Sequence, residues 1–213
     1  LDQKLYQILK TMIMERKLLP GEKIRQEKLA QELGISRTPL VAALKFLEHE
    51  KRVESKPRCG FCVRLFKKQE MISIFELREV LEGLAARRAA THITDPQIGQ
   101  LQQFFHPFMQ TPEIRDYRSY SQEDRRFHTF VIQIGAKEFL RSILETYNII
   151  SFSYQVVSSE GLVRSPNETL GEHLAVIEAI SDRDPEAAET LMRNHFKKSA
   201  ASLMRDAAKL RPI

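Results

Sequence analysis

The chain has 213 residues, of which 42% are hydrophobic and 29% charged, with a formal net charge of +5. That length suits two small domains, and the apolar content suffices for a packed core, which excludes a disordered tail. No apolar run approaches the roughly 20 residues that span a bilayer. The opening LDQKLYQILK lacks the cationic and apolar regions of a secretory signal. A cytoplasmic protein with no membrane partner is therefore expected. The charge is unevenly placed: residues 1–64 carry 14 Lys/Arg against 8 Asp/Glu, while residues 65–213 carry 19 against 20. A polyanion-binding module joined to a near-neutral domain with another task is the natural reading of that asymmetry.

Leu5, Ile8, Leu9, Met12 and Ile13 recur at helical spacing, and Leu19-Pro20-Gly21 marks a turn. A short helix is predicted from Gln26 to Leu33, stopped by Gly34. Ser36 is a candidate N-cap for a third helix, in which Pro39 sits within the first turn and Leu40, Ala43, Leu44 and Leu47 line one face to about Glu50. Val53–Ser55 and Phe61–Val63 flank a Pro57–Gly60 turn and read as a two-stranded wing. Helix, Gly-containing turn, helix and hairpin on the basic portion make a winged helix-turn-helix pattern. Cys59 and Cys62 are the only cysteines. A Cys-x-x-Cys pair can be redox-active or half of a zinc site, but one pair cannot complete four ligands, so hairpin residues are the plainer reading.

Lys67 and Lys68 mark the linker, with a DNA-binding domain expected over 1–66 and a second domain over 67–213. From Gln69 every signal is helical, with segments near 69–93, 95–110, 113–135, 137–158, 167–182 and 185–209. Asp95-Pro96, Ser165-Pro166 and Asp184-Pro185 read as helix starts, and Gly135 as a stop. The fold class expected is mainly α: an N-terminal winged helix-turn-helix followed by an all-α bundle.

The run from Leu19 to Ile24 and the run Leu29-Ala30-Gln31-Glu32-Leu33-Gly34-Ile35-Ser36-Arg37-Thr38-Pro39-Leu40 resemble the GntR family of winged-helix repressors. Leu77–Ala86 and Asp124–His128 look like its FadR-type branch, which carries the FCD sensor domain. The resemblance implies a DNA-binding transcription regulator, most often a repressor, working as a homodimer on a double-stranded operator. It also implies that Arg37 and Thr38 meet DNA at the start of the recognition helix, with Gly60 at the wing tip. One departure stands out: where relatives usually carry Arg-Glu after Pro and one apolar residue, this chain has Val41-Ala42. The commonest specific contact, Arg to a guanine edge, is missing there. Val41 is left either to touch a thymine methyl or to pack.

Asp124 and His128 lie four residues apart, on one helical face shared with Val131 and Ile132. His173 lies among Leu170, Leu174 and Ile177, and His195 among Leu191, Met192 and Phe196. Any one such histidine is ordinarily a hydrogen-bonded core residue. Four converging groups invite a divalent cation, and an unpaired buried Asp would require one. The resemblance implies that Asp124, His128, His173 and His195 hold a divalent transition metal, Zn or Ni by donor type. Open coordination positions would admit a small carboxylic-acid effector, with Arg78 pairing with its carboxylate. The alternative for Arg78 is an ion pair with Glu82 at i+4. A metal that is purely structural, or is itself the signal, remains a second reading. A helical metalloenzyme is the third, and the chain lacks His-Glu-x-x-His, Glu-x-x-His, an adjacent His-Asp pair and Gly-x-Ser-x-Gly. No enzyme is expected. His49, His92 and His106 fit no ligand motif and read as surface or capping residues.

Overall fold

The computed structural model describes residues 3–15, 17–137, 140–141, 143–144 and 162–209. The chain divides into two compact units between Lys67 and Lys68.

The N-terminal unit has three helices, α1 (Gln3–Met14), α2 (Gln26–Glu32) and α3 (Arg37–His49), followed by strands β1 (Val53–Lys56) and β2 (Gly60–Val63). Helix α1 buries Leu5, Leu9 and Ile13, a strict four-residue stripe, while Ile8 stays exposed. Helix α2 ends in a Schellman motif: the Ile35 N–H donates to the Ala30 carbonyl and that of Gly34 to Gln31. Gly34 takes φ +65°, which a side chain would strain. Helix α3 ends the same way, with the Arg52 N–H on Leu47 and that of Lys51 on Glu48, Lys51 occupying the left-handed position. The strands pair antiparallel, Val53 opposite Val63 and Lys56 opposite Gly60. Residues 21–24, which continue from the expected Leu19-Pro20-Gly21 turn and for which no element is predicted, also run along β2: the Ile24 N–H donates to Phe61 O and the Val63 N–H to Glu22 O. The core gathers Leu5, Leu9, Ile13, Leu40, Leu44 and Leu47 among others, each leucine contributing about 1.5–3 kcal/mol of burial.

The second unit is helical: α4 (Lys68–His92), α5 (Asp95–Leu101), α6 (His106–Met109), α7 (Tyr117–Gly135), α8 (Pro166–Ser181) and α9 (Pro185–Lys209). Helix α4 runs along α9 and α7, and α8 packs on α9 and α4. Ala85, Ala86, Ala89 and Ala90 give α4 a flat face. There α7 ends so close that a Cβ on Gly135 would lie 1.8 Å from the Ala85 carbonyl oxygen. The three expected starts are present. Thr94 with Gln97 and Ser165 with Glu168 form capping boxes, and Asp184 accepts from the Ala187 N–H.

Two expectations need correction. The single helix over 95–110 is broken into α5 and α6, because the ring and missing N–H of Pro107 forbid a helix running through from Gln103. Phe105 turns the chain there in a left-handed conformation, φ +65°. Helix α7 starts at Tyr117 rather than 113, where the Asp116 carboxylate accepts from the Ser119 N–H at 3.0 Å. Of the segment expected over 137–158, Leu140, Arg141, Ile143 and Leu144 are helical, and most of the rest lies outside the described residues. Among the described residues, no helix is long and apolar enough to cross a membrane.

Candidate functional site

Three helices of the second unit each carry one inward-facing stripe, and each stripe carries a histidine. On α7 it is Tyr120, Asp124, His128 and Val131; on α8 Thr169, His173, Val176 and Ile180; on α9 Ala188, Met192, His195 and Ser199. One ring nitrogen from each of His128, His173 and His195 lies within 4.8 Å of the others. The Asp124 carboxylate joins them, its Oδ1 3.2 Å from His173 Nε2 and 3.9 Å from His128 Nε2. The four residues predicted as ligands are thus brought together. His49, His92 and His106 are all exposed.

The other nitrogen of each ring is already engaged. His128 Nδ1 lies 2.7 Å from Glu82 Oε2, and His195 Nδ1 lies 2.9 Å from Glu172 Oε2. A carboxylate only accepts, so both rings carry a proton on Nδ1, and in the neutral form each leaves Nε2 a bare lone pair. His173 Nδ1 reaches the Tyr120 hydroxyl at 3.1 Å, which is 2.9 Å from Thr169 Oγ1, which in turn donates to the Ser165 carbonyl at 3.2 Å. A carbonyl cannot donate, so the direction of the relay is fixed: Thr169 donates to Ser165, Tyr120 to Thr169, and His173 Nδ1–H to Tyr120. His173 Nε2 is consequently unprotonated. It is buried, it makes no hydrogen bond, and it faces a carboxylate oxygen lone pair to lone pair. That contact is repulsive unless a cation sits between the two.

The surrounding charges hold this state. Burial pushes the His173 ring well below its ordinary value, and the His195 and His128 rings push the same way. Burial also lowers His195, against the opposing hydrogen bond to Glu172. Neutral imidazole is the form that binds metal. Burial would raise the Glu82 carboxyl, but the Arg78 charge and the hydrogen bonds from His128 and Arg78 outweigh it and hold it at about 2. Burial likewise opposes ionisation of Glu172. Hydrogen bonds from Arg164, His195 and Lys198 prevail and keep its carboxyl below the usual carboxylate range. Arg164 grips Glu172 with two parallel bonds, 2.9 and 2.5 Å. Phe105 stacks on the His173 ring, centroids 4.7 Å apart and planes 4° from parallel, which fixes the plane of that ring.

Arg78 is buried, binds Glu82 through Nε at 2.6 Å and lies 4.4 Å over the Phe196 ring. The ion pair at i+4 weighed from the sequence is therefore present.

In the first unit, Arg37 and Thr38 are exposed at the start of α3. Arg37 pairs with Glu27 at 3.2 Å and donates to Gln26 at 3.2 Å, contacts worth little in water and readily exchanged. Ser36 occupies the N-cap position, but its side chain makes no cap hydrogen bond. Gly60 sits in the wing turn with φ +84°. A hollow of about 720 Å³ opens among Arg25, Lys28, Arg37, Arg58 and Gly60. Arg25, Lys28 and Arg58 were not singled out from the sequence, although they belong to its basic excess. Val41 is half-buried and packs on the winged core, whereas Ala42 is exposed.

Residues 1–63 match the bacterial regulatory proteins of the gntR family, and residues 73–198 match the FCD domain. The chain belongs to the GntR family of transcription regulators, with an FCD domain. Over 95% of its length this regulator is 25% identical to the HTH-type transcriptional repressor RspR of Escherichia coli K12, of which it covers 88%. Its fold is similar to that of a GntR regulator from Rhodococcus sp. RHA1 (TM-score 0.76, 15% identity, 95% and 96% of the two chains). It also resembles E. coli McbR/YncC (TM-score 0.72, 18% identity, 96% and 97%). The GntR-FCD regulator is a DNA-binding protein of mainly α fold, and not an enzyme.

Residues that sequence reasoning missed are Tyr120, Thr169, Arg164 and Glu172, while Glu82 entered it only as a partner of Arg78 and not of His128. Two carried a signal. Tyr120 lies one turn before Asp124, and Thr169 one turn before His173, so each stripe extended by four residues would have found them. Glu172 is hidden by adjacency: it precedes His173 in sequence, yet helical rotation aims it at His195 on α9.

Proposed function

We propose that this regulator acts in the cytoplasm as a homodimeric repressor controlled by a small carboxylic-acid effector. The effector would bind at a divalent transition metal, Zn or Ni, held by Asp124, His128, His173 and His195. The observation that carries the reading is the bare, buried Nε2 of His173 facing Asp124 Oδ1, with all three Nδ1 atoms tied back to fixed partners. Three imidazoles and a carboxylate suit a borderline-soft ion. When bound, such an ion acts as a Lewis acid toward an incoming carboxylate.

The chain's own residues do the rest. Glu82, Glu172 and Tyr120 orient the rings, and Phe105 and Phe127 exclude water around His173. The Asp124 side chain keeps 23% of its surface accessible, which supports an effector path from that side. Arg78, which holds Glu82, is assigned the effector's carboxylate as a second partner. Leu77 and Val80, exposed on α4, support a dimer surface there. In the winged unit, Arg37, Thr38 and Gly60 are assigned to DNA, with the basic hollow beside them following the phosphates. Effector binding would alter DNA affinity only by its differential affinity for two arrangements of the dimer.

Elemental analysis of purified wild type, His128→Ala and His173→Ala tests the metal directly. About one Zn or Ni per wild-type chain, lost in both variants, is expected from a four-ligand site. A wild type that stays metal-free after loading contradicts the proposal. Thermal shifts of the loaded protein with small carboxylic acids then test the effector, and no shift with any of them overturns that part.

A further inference from the structure

The metal centre and the DNA face leave one chemically distinctive pair unused, the two cysteines of the wing. Cys59 Sγ and Cys62 Sγ lie 3.7 Å apart, and both are free thiols. That proximity is not a by-product of strand geometry. Residues three apart in a strand point to opposite faces and sit roughly 10 Å apart along it. Here the turn brings them together. Arg58 takes φ +61° and Gly60 φ +84°, and the Cys59 N–H closes back on the Lys56 carbonyl at 3.0 Å.

The two thiols differ in a way that divides labour. Cys62 is 2% exposed and fixed on both sides, opposite Glu54 in β1 and bridged to Lys23. Cys59 is only partly buried and sits on the turn, with the cationic Arg58 as its neighbour. Burial pushes the Cys62 thiol up, and its contact with Cys59 pushes the same way. A dissolved oxidant therefore meets Cys59 first, and Cys62 is poised to resolve what forms.

We infer that Cys59 and Cys62 form a reversible dithiol–disulfide modification site in the wing, oxidised by low-molecular-weight disulfides. In the first step Cys59 releases its proton to solvent and the thiolate attacks one sulfur of the small disulfide. The S–S bond breaks, and one thiolate leaves and takes up a proton. In the second, Cys62 releases its proton to solvent and attacks Cys59 Sγ, expelling the other thiolate, which is protonated in turn. Overall, two protein thiols and one small disulfide give one protein disulfide and two small thiols.

Bond formation closes the sulfur separation from 3.7 Å to about 2.05 Å. Cys62 is held by its strand neighbours, so the movement falls on the turn that carries Arg58 and Gly60. Oxidation thus reshapes the rim of the basic hollow. Its effect on DNA rests on the DNA-face assignment above; the thiol chemistry does not.

The experiment equilibrates the full chain across ratios of oxidised to reduced glutathione, traps free thiols by alkylation and reads intact mass. Wild type is compared with Cys59→Ser and Cys62→Ser. Wild type is expected to lose both thiols together, its mass falling by the two thiol hydrogens, and to recover under reductant. Cys62→Ser is expected to accumulate a stable glutathione adduct at Cys59, and Cys59→Ser to resist modification of Cys62. A wild type that stays reduced in fully oxidised glutathione, that stops at the adduct, or that cross-links between chains overturns the inference. In parallel, anisotropy with a mixed-sequence duplex at low salt should show the oxidised wild type binding about threefold more weakly or worse, as loss of a phosphate contact requires. Equal binding by oxidised and reduced protein overturns the effect on the wing. Failure of the DNA-face assignment would look different: Arg37→Ala would leave duplex affinity unchanged while the thiol chemistry proceeded.

Discussion

The two units bury different kinds of residue. Among the described residues of the winged unit, one charged side chain is buried, Arg52. In the helical unit Arg78, Glu82, Ser121, His128, Arg164, Thr169, His173, His195 and Ser199 are all buried. The winged core is apolar and serves to hold α3 and the hairpin in place, so the contacts proposed with DNA fall outside it, on exposed residues such as Arg37 and Thr38. The helical unit turns this arrangement inside out. Its charged and polar groups are in the core, linked as Arg78–Glu82–His128, Arg164–Glu172–His195 and Ser165–Thr169–Tyr120–His173, all ending on one point. Buried ion pairs seldom add net stability compared with apolar packing. Networks that end on three neighbouring histidine rings are better explained by a ligand held in common.

Substitutions sharpen the contrast. Glu82→Ala leaves Arg78 buried without its 2.6 Å partner and should destabilise the chain by about 3–5 kcal/mol. It should also cut metal affinity by roughly 10–100-fold by freeing the His128 ring. Leu44→Ala in the winged core should cost a comparable amount, about 2–5 kcal/mol, with metal content unchanged. Chemical denaturation with metal analysis of the two variants checks both halves. If Leu44→Ala loses metal, or Glu82→Ala keeps full affinity, the separation of tasks is wrong.

Acid should act through the helical unit. The folded His173 ring is held below its unfolded value of 6.5, so the unfolded chain binds the extra proton. The stability this provides in metal-free protein is complete above that value. It is lost as pH falls, by about 1.4 kcal/mol per pH unit for this ring alone. Glu82, lowered from 4.5 to about 2, adds a second loss between those values. Urea midpoints of metal-free protein across this range should fall accordingly, and in His173→Gln the upper step should shrink to the part that the lowered His195 ring contributes. A midpoint flat between pH 7 and 5 contradicts the buried neutral ring.

Thr169→Val is subtler. Without Thr169 Oγ1 to accept its proton, the Tyr120 hydroxyl turns to donate to His173 Nδ1, which moves the ring proton to Nε2, 3.2 Å from Asp124 Oδ1. Metal affinity should drop about tenfold, while the metal-free protein changes by about 1 kcal/mol. Competition with a chromophoric chelator measures the first. Unaltered affinity means that the relay does not set the tautomer.

Arg37→Ala should be the mildest to the fold, within about 0.5 kcal/mol, because its pairs with Glu27 and Gln26 are exposed. It should nevertheless lower duplex affinity and reduce the salt slope by about one. A variant that binds duplex as wild type does would remove Arg37 from the DNA face.

The same contrast explains what could be read in the sequence. Apolar spacing and turn residues settle the winged unit almost completely, because Leu40, Ala43, Leu44 and Leu47 pack as their period requires and Gly34 and Gly60 stand where φ is positive. The strand-like pairing of residues 21–24 escaped notice, since a four-residue backbone ladder needs no pattern of side chains. In the helical unit the proposed ligands are visible as histidines on apolar stripes. Their supports were less so. Glu172 and Arg164 act across helices, and no periodicity within one helix reports that. The break at Phe105 is masked in the sequence, because Leu101, Phe104, Phe105 and Phe108 keep helical spacing up to and past Pro107.

The most direct test of the central claim is X-ray absorption on the loaded regulator, since it reads donor atoms and discriminates the two units at once. A site built by Asp124, His128, His173 and His195 predicts nitrogen and oxygen donors at about 2.0–2.2 Å, with the outer-shell scattering of three imidazole rings and no sulfur. Sulfur at about 2.3 Å would place the metal on Cys59 and Cys62 in the wing instead, and the absence of imidazole scattering would contradict the account outright.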